Sequence, residues 1–196
     1  MVQIGNELTN GLLWPSGRKL EFDRIAKYLN AGIRAVREIQ ADIPIMIHLD
    51  NGGFNEMYVE WFDEFTKRAE PFDIIGLSYY PFWHGTMEDY RDREGKPLDQ
   101  LKGMATKPEL VEKLDYPMTK EGQASFMKDF LKLIADIPGG EGFYYWEPSW
   151  IPVPGCGWAT EAALAYTGEK GPGGNEWANQ ALFDYDGNAL PALAVI

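Results

Sequence analysis

Short apolar runs alternate along the chain with segments whose apolar residues recur every three or four positions. "VQIGNE" (2–7) is an apolar run ending in polar residues, and it predicts a strand. "LTNGLLWPSGR" follows, a loop by its Asn-Gly, Pro and Gly signals. From Phe22 to Gln40 the apolar residues Phe22, Ile25, Tyr28, Leu29, Ile33, Val36 and Ile39 keep helical spacing. "IPIMIHLD" (43–50) is a β-branched strand ending in His48 and Asp50. Residues 55–69, with Met57, Val59, Trp61, Phe62 and Phe65, predict a second helix. "FDIIGLSYYP" (72–81) is a third strand, closed by Pro81. Residues 120–137 predict another helix, with Phe126, Met127, Phe130, Leu133 and Ile134 on one side. "GFYYWEP" (142–148) reads as a fourth strand, broken at Pro148. The tail is loop-rich.

Strand, helix, strand, helix is the order of parallel βα units. Apolar strands with polar C-terminal tips fit a (β/α) barrel, whose active site lies at that end. An open doubly wound sheet shares the alternation, but no Gly-rich phosphate loop follows any predicted strand. The predicted strands start near residues 2, 43, 72 and 142, and the last gap is twice the others. A further strand is therefore due between Pro81 and Pro117. That segment scatters its apolar residues among charges and offers none. A complete barrel also takes about 250 residues, against 196 here. The expected fold class is α/β, a single incomplete (β/α) barrel domain over 1–196.

Composition narrows the chemistry. The net charge of −12, with no basic stripe, argues against nucleic acid as partner. No run is long enough for a membrane span. Residues 1–20 lack the unbroken apolar core of a signal peptide, so none is expected there. One cysteine excludes an internal disulfide and a cysteine-built metal cage, and two histidines leave little for zinc. "DYDGN" (184–188) alternates Asp and Asn as calcium loops do, but it lacks their distal glutamate. A β-turn between short strands is expected instead. Aromatic residues reach 14%, with seven Trp. They fit either a bulky core or a sugar site whose flat rings stack on pyranose faces.

Retaining glycoside hydrolysis needs two carboxylates about 5 Å apart, one acid/base and one nucleophile. Glu7 ends the first strand and suits the acid, a role that the partial burial expected there would favour. Asn6 beside it could bond a sugar 2-hydroxyl, or the pair could be an ordinary polar strand end. His48 and Asp50 share one strand face and could line a subsite or simply meet solvent. Tyr79 and Tyr80 end the third strand, pointing to opposite faces, with Trp83 and His84 in the loop beyond. Trp146 and Trp150 flank Glu147. Chemistry alone would pair Glu147 with Glu7.

Six segments, "VQIGNELTNGLLWP" (2–15), "IMIHLDNGG" (45–53), "FDIIGLSYYPFWHGT" (72–86), "YPMTKEGQASFMKD" (116–129), "FYYWEPSWIPV" (143–153) and "WANQALFDYDGNALPAL" (177–193), run in one order. Together they resemble the C-terminal portion of arabinogalactan endo-β-1,4-galactanases, glycoside hydrolase family 53, which are retaining (β/α)8 enzymes. The resemblance implies strands four, five, six and eight of the barrel, with Glu7 as acid/base. It implies hydrolysis of internal β-1,4-galactosidic bonds in the galactan side chains of pectin, and export from the cell. The family nucleophile ends an apolar seventh strand in Glu-Thr, due between His84 and Tyr116. Here "REGKPL" (93–98) leads instead into "DQLKGMATKPEL". By the same match Trp146 and Glu147 lie in the cleft near the sugar, with Glu147 only a substitute nucleophile. His48, Asp50, Trp83 and Trp150 match strand-tip and loop positions. The calcium site of bacterial members finds no matching ligands, so no metal or cofactor is expected. Without its nucleophile the chain is expected to be impaired, or to bind galactan without cleaving it, or to be a non-functional fragment. Its open barrel edges suggest self-association.

Overall fold

A computed structural model of the chain describes residues 1–80, 115–117, 119–149, 161–168, 180–184 and 186–196. The chain falls into two compact units, Met1–Lys102 and Gly103–Ile196.

The first unit is built on a parallel three-stranded sheet. Its strands are β1 (Val2–Gln3), β4 (Ile45–Leu49) and β5 (Ile74–Leu77), in the order β1-β4-β5. Val2 lies opposite Ile45, and His48 opposite Gly76. Helix α1 (Phe22–Ile39) joins β1 to β4, and α2 (Asn55–Thr66) joins β4 to β5. Both are the predicted βα connections, and their bounds fall within three residues of the sequence pattern. The central strand β4 is the driest, with Ile45, Ile47 and Leu49 fully buried. They pack against Ile25, Leu29 and Ile33 of α1 and Trp61, Phe62 and Phe65 of α2.

Aromatic residues knit this core. Trp61 lies with its ring centroid 5.0 Å from those of both Phe62 and Phe65, and Phe22 meets Trp61 edge-on at 5.7 Å. Phe72 stacks on Phe62 at 6.0 Å. For these five rings the bulky-core reading of the aromatic content holds, since large rings bury the most apolar area per residue.

The strand predicted over residues 2–7 is shorter than its apolar run, because the chain leaves the sheet at Gly5, where φ is +81°. A Cβ there would sit 2.7 Å from Leu8 Cδ2, so only glycine fits the turn. The predicted loop 8–18 contains a 3₁₀ turn (Leu8–Asn10) and a small antiparallel hairpin, β2 (Gly11–Leu12) with β3 (Gly17–Arg18). At the bottom of the sheet, Asp73 Oδ2 accepts from Ile45 N at 2.8 Å and from Arg37 Nη2 at 2.6 Å. That carboxylate ties α1 to the start of β4. It titrates below the usual range, first through the Ile45 amide and then through Arg37.

In the second unit α3 (Lys120–Asp136) is the long element, followed by α4 (Glu161–Thr167) and a 3₁₀ turn (Pro191–Ala194). Thr119 caps α3, its hydroxyl accepting from Gly122 N at 3.0 Å. Met127, Leu182 and Ala192 form the core, with Phe143 and Tyr145 against it. "DYDGN" turns as expected. Phe183 bridges antiparallel to Ala189, and Asp184 Oδ1 accepts from the amides of Asp186 and Asn188.

The predicted strand over 142–148 is not one among the described residues. Its alternation is real: Phe143 and Tyr145 face the core, while Tyr144 and Trp146 are 83% and 65% exposed. A strand also needs a neighbour to bond its backbone. Here the Pro148 carbonyl accepts from Leu182 N at 2.7 Å, and no ladder forms among the described residues.

Candidate functional site

The C-terminal tips of β1, β4 and β5 bring three predicted or unpredicted polar groups together. Beyond Gly5 the chain turns, and Glu7 takes a left-handed backbone, φ 49° and ψ 54°. Such a conformation costs a non-glycine residue about 1 kcal/mol or more. A contact offsets it here: the Glu7 amide donates to His48 Nδ1 at 3.1 Å. His48 sits on β4, 9% exposed. Its ring fits because the facing residue is Gly76, where a Cβ would lie 3.1 Å from His48 Cδ2 and 2.4 Å from Met46 Sδ.

Ser78, just past β5, completes the group. Its hydroxyl donates to Glu7 Oε1 at 2.7 Å and lies 3.2 Å from His48 Nε2. Backbone bonds fix it, Ser78 N to Leu49 O at 2.9 Å and Gly52 N to Ser78 O at 2.8 Å. Burial pulls His48 below its ordinary titration range, and the charges of Glu7 and Asp50 oppose that pull.

Other sequence candidates stand as follows. Glu7 is exposed, not partly buried as expected, because the turn at Gly5 lifts it off the sheet. Asn6 is also exposed, and its Oδ1 accepts from Gln3 Nε2 at 3.0 Å. Asp50 follows β4, and its Oδ1 is buried with no hydrogen-bond partner among the described residues. The Tyr58 hydroxyl donates to the carbonyls of Leu49 and Asp50 and steadies that turn. Tyr79 and Tyr80 are half-buried directly after Ser78. In the second unit Glu147 is half-buried with a left-handed backbone, φ 53°, beside exposed Trp146. Trp83, His84 and Trp150 lie outside the described residues.

Ser78 was not singled out from sequence. A serine after an apolar run is ordinary, and only the register that sets His48 against Gly76 aims it at Glu7.

Parallel βα units with polar groups gathered at their C-terminal tips fit the (β/α) barrel class, whose sites lie at that end. The family model "Glycosyl hydrolase family 53" matches in two pieces, residues 1–102 and 93–196, and the chain belongs to that family. The chain is 32% identical to "Endo-beta-1,4-galactanase" of Bacillus subtilis, over all of the chain and 53% of the relative. It is 31% identical to "Probable arabinogalactan endo-beta-1,4-galactanase A" of Aspergillus tubingensis, over 80% of the chain and 51% of the relative. It therefore spans about half the length of the curated relatives it matches. The solved "Ignisphaera aggregans GH53 catalytic domain" superposes with a TM-score of 0.76 at 36% identity, over 98% of this chain and 57% of that one. Such domains are TIM barrels, and this chain carries part of that α/β fold with its parallel sheet.

Among the described residues no three His, Cys, Asp or Glu side chains converge, and Asp184 is committed to its turn. No helix among them is long and apolar enough to cross a membrane.

Proposed function

We propose that the chain is built for retaining hydrolysis of internal β-1,4-galactosidic bonds in galactan and arabinogalactan, with Glu7 as acid/base. The observation that carries this reading is the Glu7–His48–Ser78 group at the tips of three parallel strands. In this reading β1, β4 and β5 are barrel strands four, five and six, and residues 142–148 occupy the place of strand eight. The whole chain is then one incomplete barrel domain, from an enzyme that works outside the cell on the galactan side chains of pectin.

The chemistry assigns each proton. Glu7, protonated, gives its proton to the glycosidic oxygen as the bond to the anomeric carbon breaks. A second carboxylate takes that carbon, and Glu7 then removes a proton from the water that releases the sugar. Asn6, Asp50, Tyr79 and Tyr80 would bind sugar, and Trp146 and Glu147 are assigned to the cleft by the family resemblance alone. Trp83 and Trp150 join them by sequence match.

The second carboxylate is the weak point. No apolar run ending Glu-Thr lies between His84 and Tyr116. That observation favours a second reading, in which the chain binds galactan without cleaving it. Galactan hydrolysis by the purified chain separates the two. The first reading expects retained products and a loss of about 10²–10⁴-fold in Glu7→Gln, the usual worth of a general acid. Retention on a galactan gel without products supports the second. Products that Glu7→Gln leaves unchanged would reject the first reading.

A further inference from the structure

The three contacts at Glu7 form a closed circuit with a fixed direction. The Glu7 amide has only a proton to give, so His48 Nδ1 must accept it at 3.1 Å. The ring is neutral while it does so, and its own proton therefore sits on Nε2. Nε2–H then donates to Ser78 Oγ at 3.2 Å. Ser78 has one hydroxyl proton, and with the imidazole side already donating to it, that proton goes to Glu7 Oε1 at 2.7 Å. One amide on the backbone of Glu7 thus sets, through two side chains, which oxygen of the same residue is occupied.

We infer that Ser78 is the positioning residue of Glu7: it holds Oε1 and leaves Oε2 as the oxygen that exchanges its proton with substrate. Its catalytic meaning rests on the role proposed for Glu7, whereas the circuit itself does not. Nothing in the strand pattern distinguishes the two oxygens. The circuit does, because a hydroxyl that accepts from histidine has no second proton for Oε2.

The test reads the circuit without requiring turnover. The chain has two histidines, so His84→Gln leaves His48 as the sole imidazole signal in ¹⁵N spectra. At neutral pH His48 is expected as the pure Nε2–H tautomer. In Ser78→Ala its Nε2–H should exchange with solvent about fivefold faster, the worth of one ordinary hydrogen bond. Three-bond couplings of the Glu7 side chain should move from one rotamer toward averaging. Ser78→Thr, which keeps the hydroxyl, should restore both. Should Ser78→Ala not fold, Ser78→Cys keeps the volume with a weaker donor, and the same direction of change is expected. A His48 ring protonated on Nδ1, or Glu7 couplings that Ser78→Ala leaves unmoved, would overturn the inference. A failure of Glu7→Gln to affect hydrolysis would instead remove the catalytic role and leave the circuit standing.

Discussion

At the scale of single residues, Glu7, His48 and Ser78 form one hydrogen-bonded group whose behaviour with pH turns on the half-way member, His48. Glu7 and His48 stand out in sequence as polar tips on apolar strands, and they meet through the Glu7 amide. Ser78 does not stand out, since its partner is set by register 30 residues away. The expected burial of Glu7 also failed, because a strand pattern does not reveal a turn at Gly5. The circuit carries a pH dependence whose sign follows from His48. Burial lowers its pKa from the ordinary 6.5. Above that value both folded and unfolded chains hold His48 neutral, and its contribution to stability is complete. As pH falls below 6.5, the unfolded chain takes up the proton first, so stability is lost as the pH drops through the lowered folded value. Glu7 and Asp50 face the ring and moderate the loss. Urea unfolding from pH about 7.5 to 5.5 should show stability falling by no more than about 1.4 kcal/mol per pH unit from this group. His48→Gln should remove that part of the slope, and an unchanged slope would refute it.

Elements were more legible than contacts, for a physical reason. A helix satisfies its own backbone, so spacing alone marks α1, α2 and α3. A strand depends on a partner elsewhere. "IPIMIHLD" finds two parallel neighbours and forms β4. "GFYYWEP" keeps its alternation and finds no ladder among the described residues. Two substitutions test the elements that did form. Phe65 is fully buried between Trp61 and Phe72. Phe65→Ala should cost about 3–5 kcal/mol, the range for emptying an aromatic core site. A measured loss below about 1.5 kcal/mol would mean this core is not packed as described. Thr119→Ala removes the cap on Gly122 N and should cost about 1 kcal/mol, with Thr119→Ser close to neutral. Chemical unfolding of each variant reads both values.

For the whole molecule, the spacing of predicted strands and the family match point to one place. The two pieces of the family match meet at residues 93–102. The alignment to the Bacillus subtilis relative runs over 233 residues although this chain has 196. The relative therefore carries residues inside the matched region that this chain lacks. Predicted strands at 72 and 142 leave room for one more between them, and "REGKPL" (93–98) is where the resemblance expects it to begin. If that missing strand holds the nucleophile, restoring it should restore the first half of the reaction, in which a carboxylate takes the anomeric carbon as Glu7 protonates the leaving oxygen. A seventh-strand segment of the family, apolar and ending Glu-Thr, inserted after Leu98, is expected to raise galactan hydrolysis well above that of the chain as it stands. The gain should vanish when either the inserted glutamate or Glu7 becomes glutamine, since the two carboxylates act on one bond. Retention at the anomeric carbon, read by NMR of the first products, should accompany it. An insertion that folds, keeps the His48 tautomer and binds galactan, yet yields no products, would show that more than the seventh strand separates this chain from a working barrel.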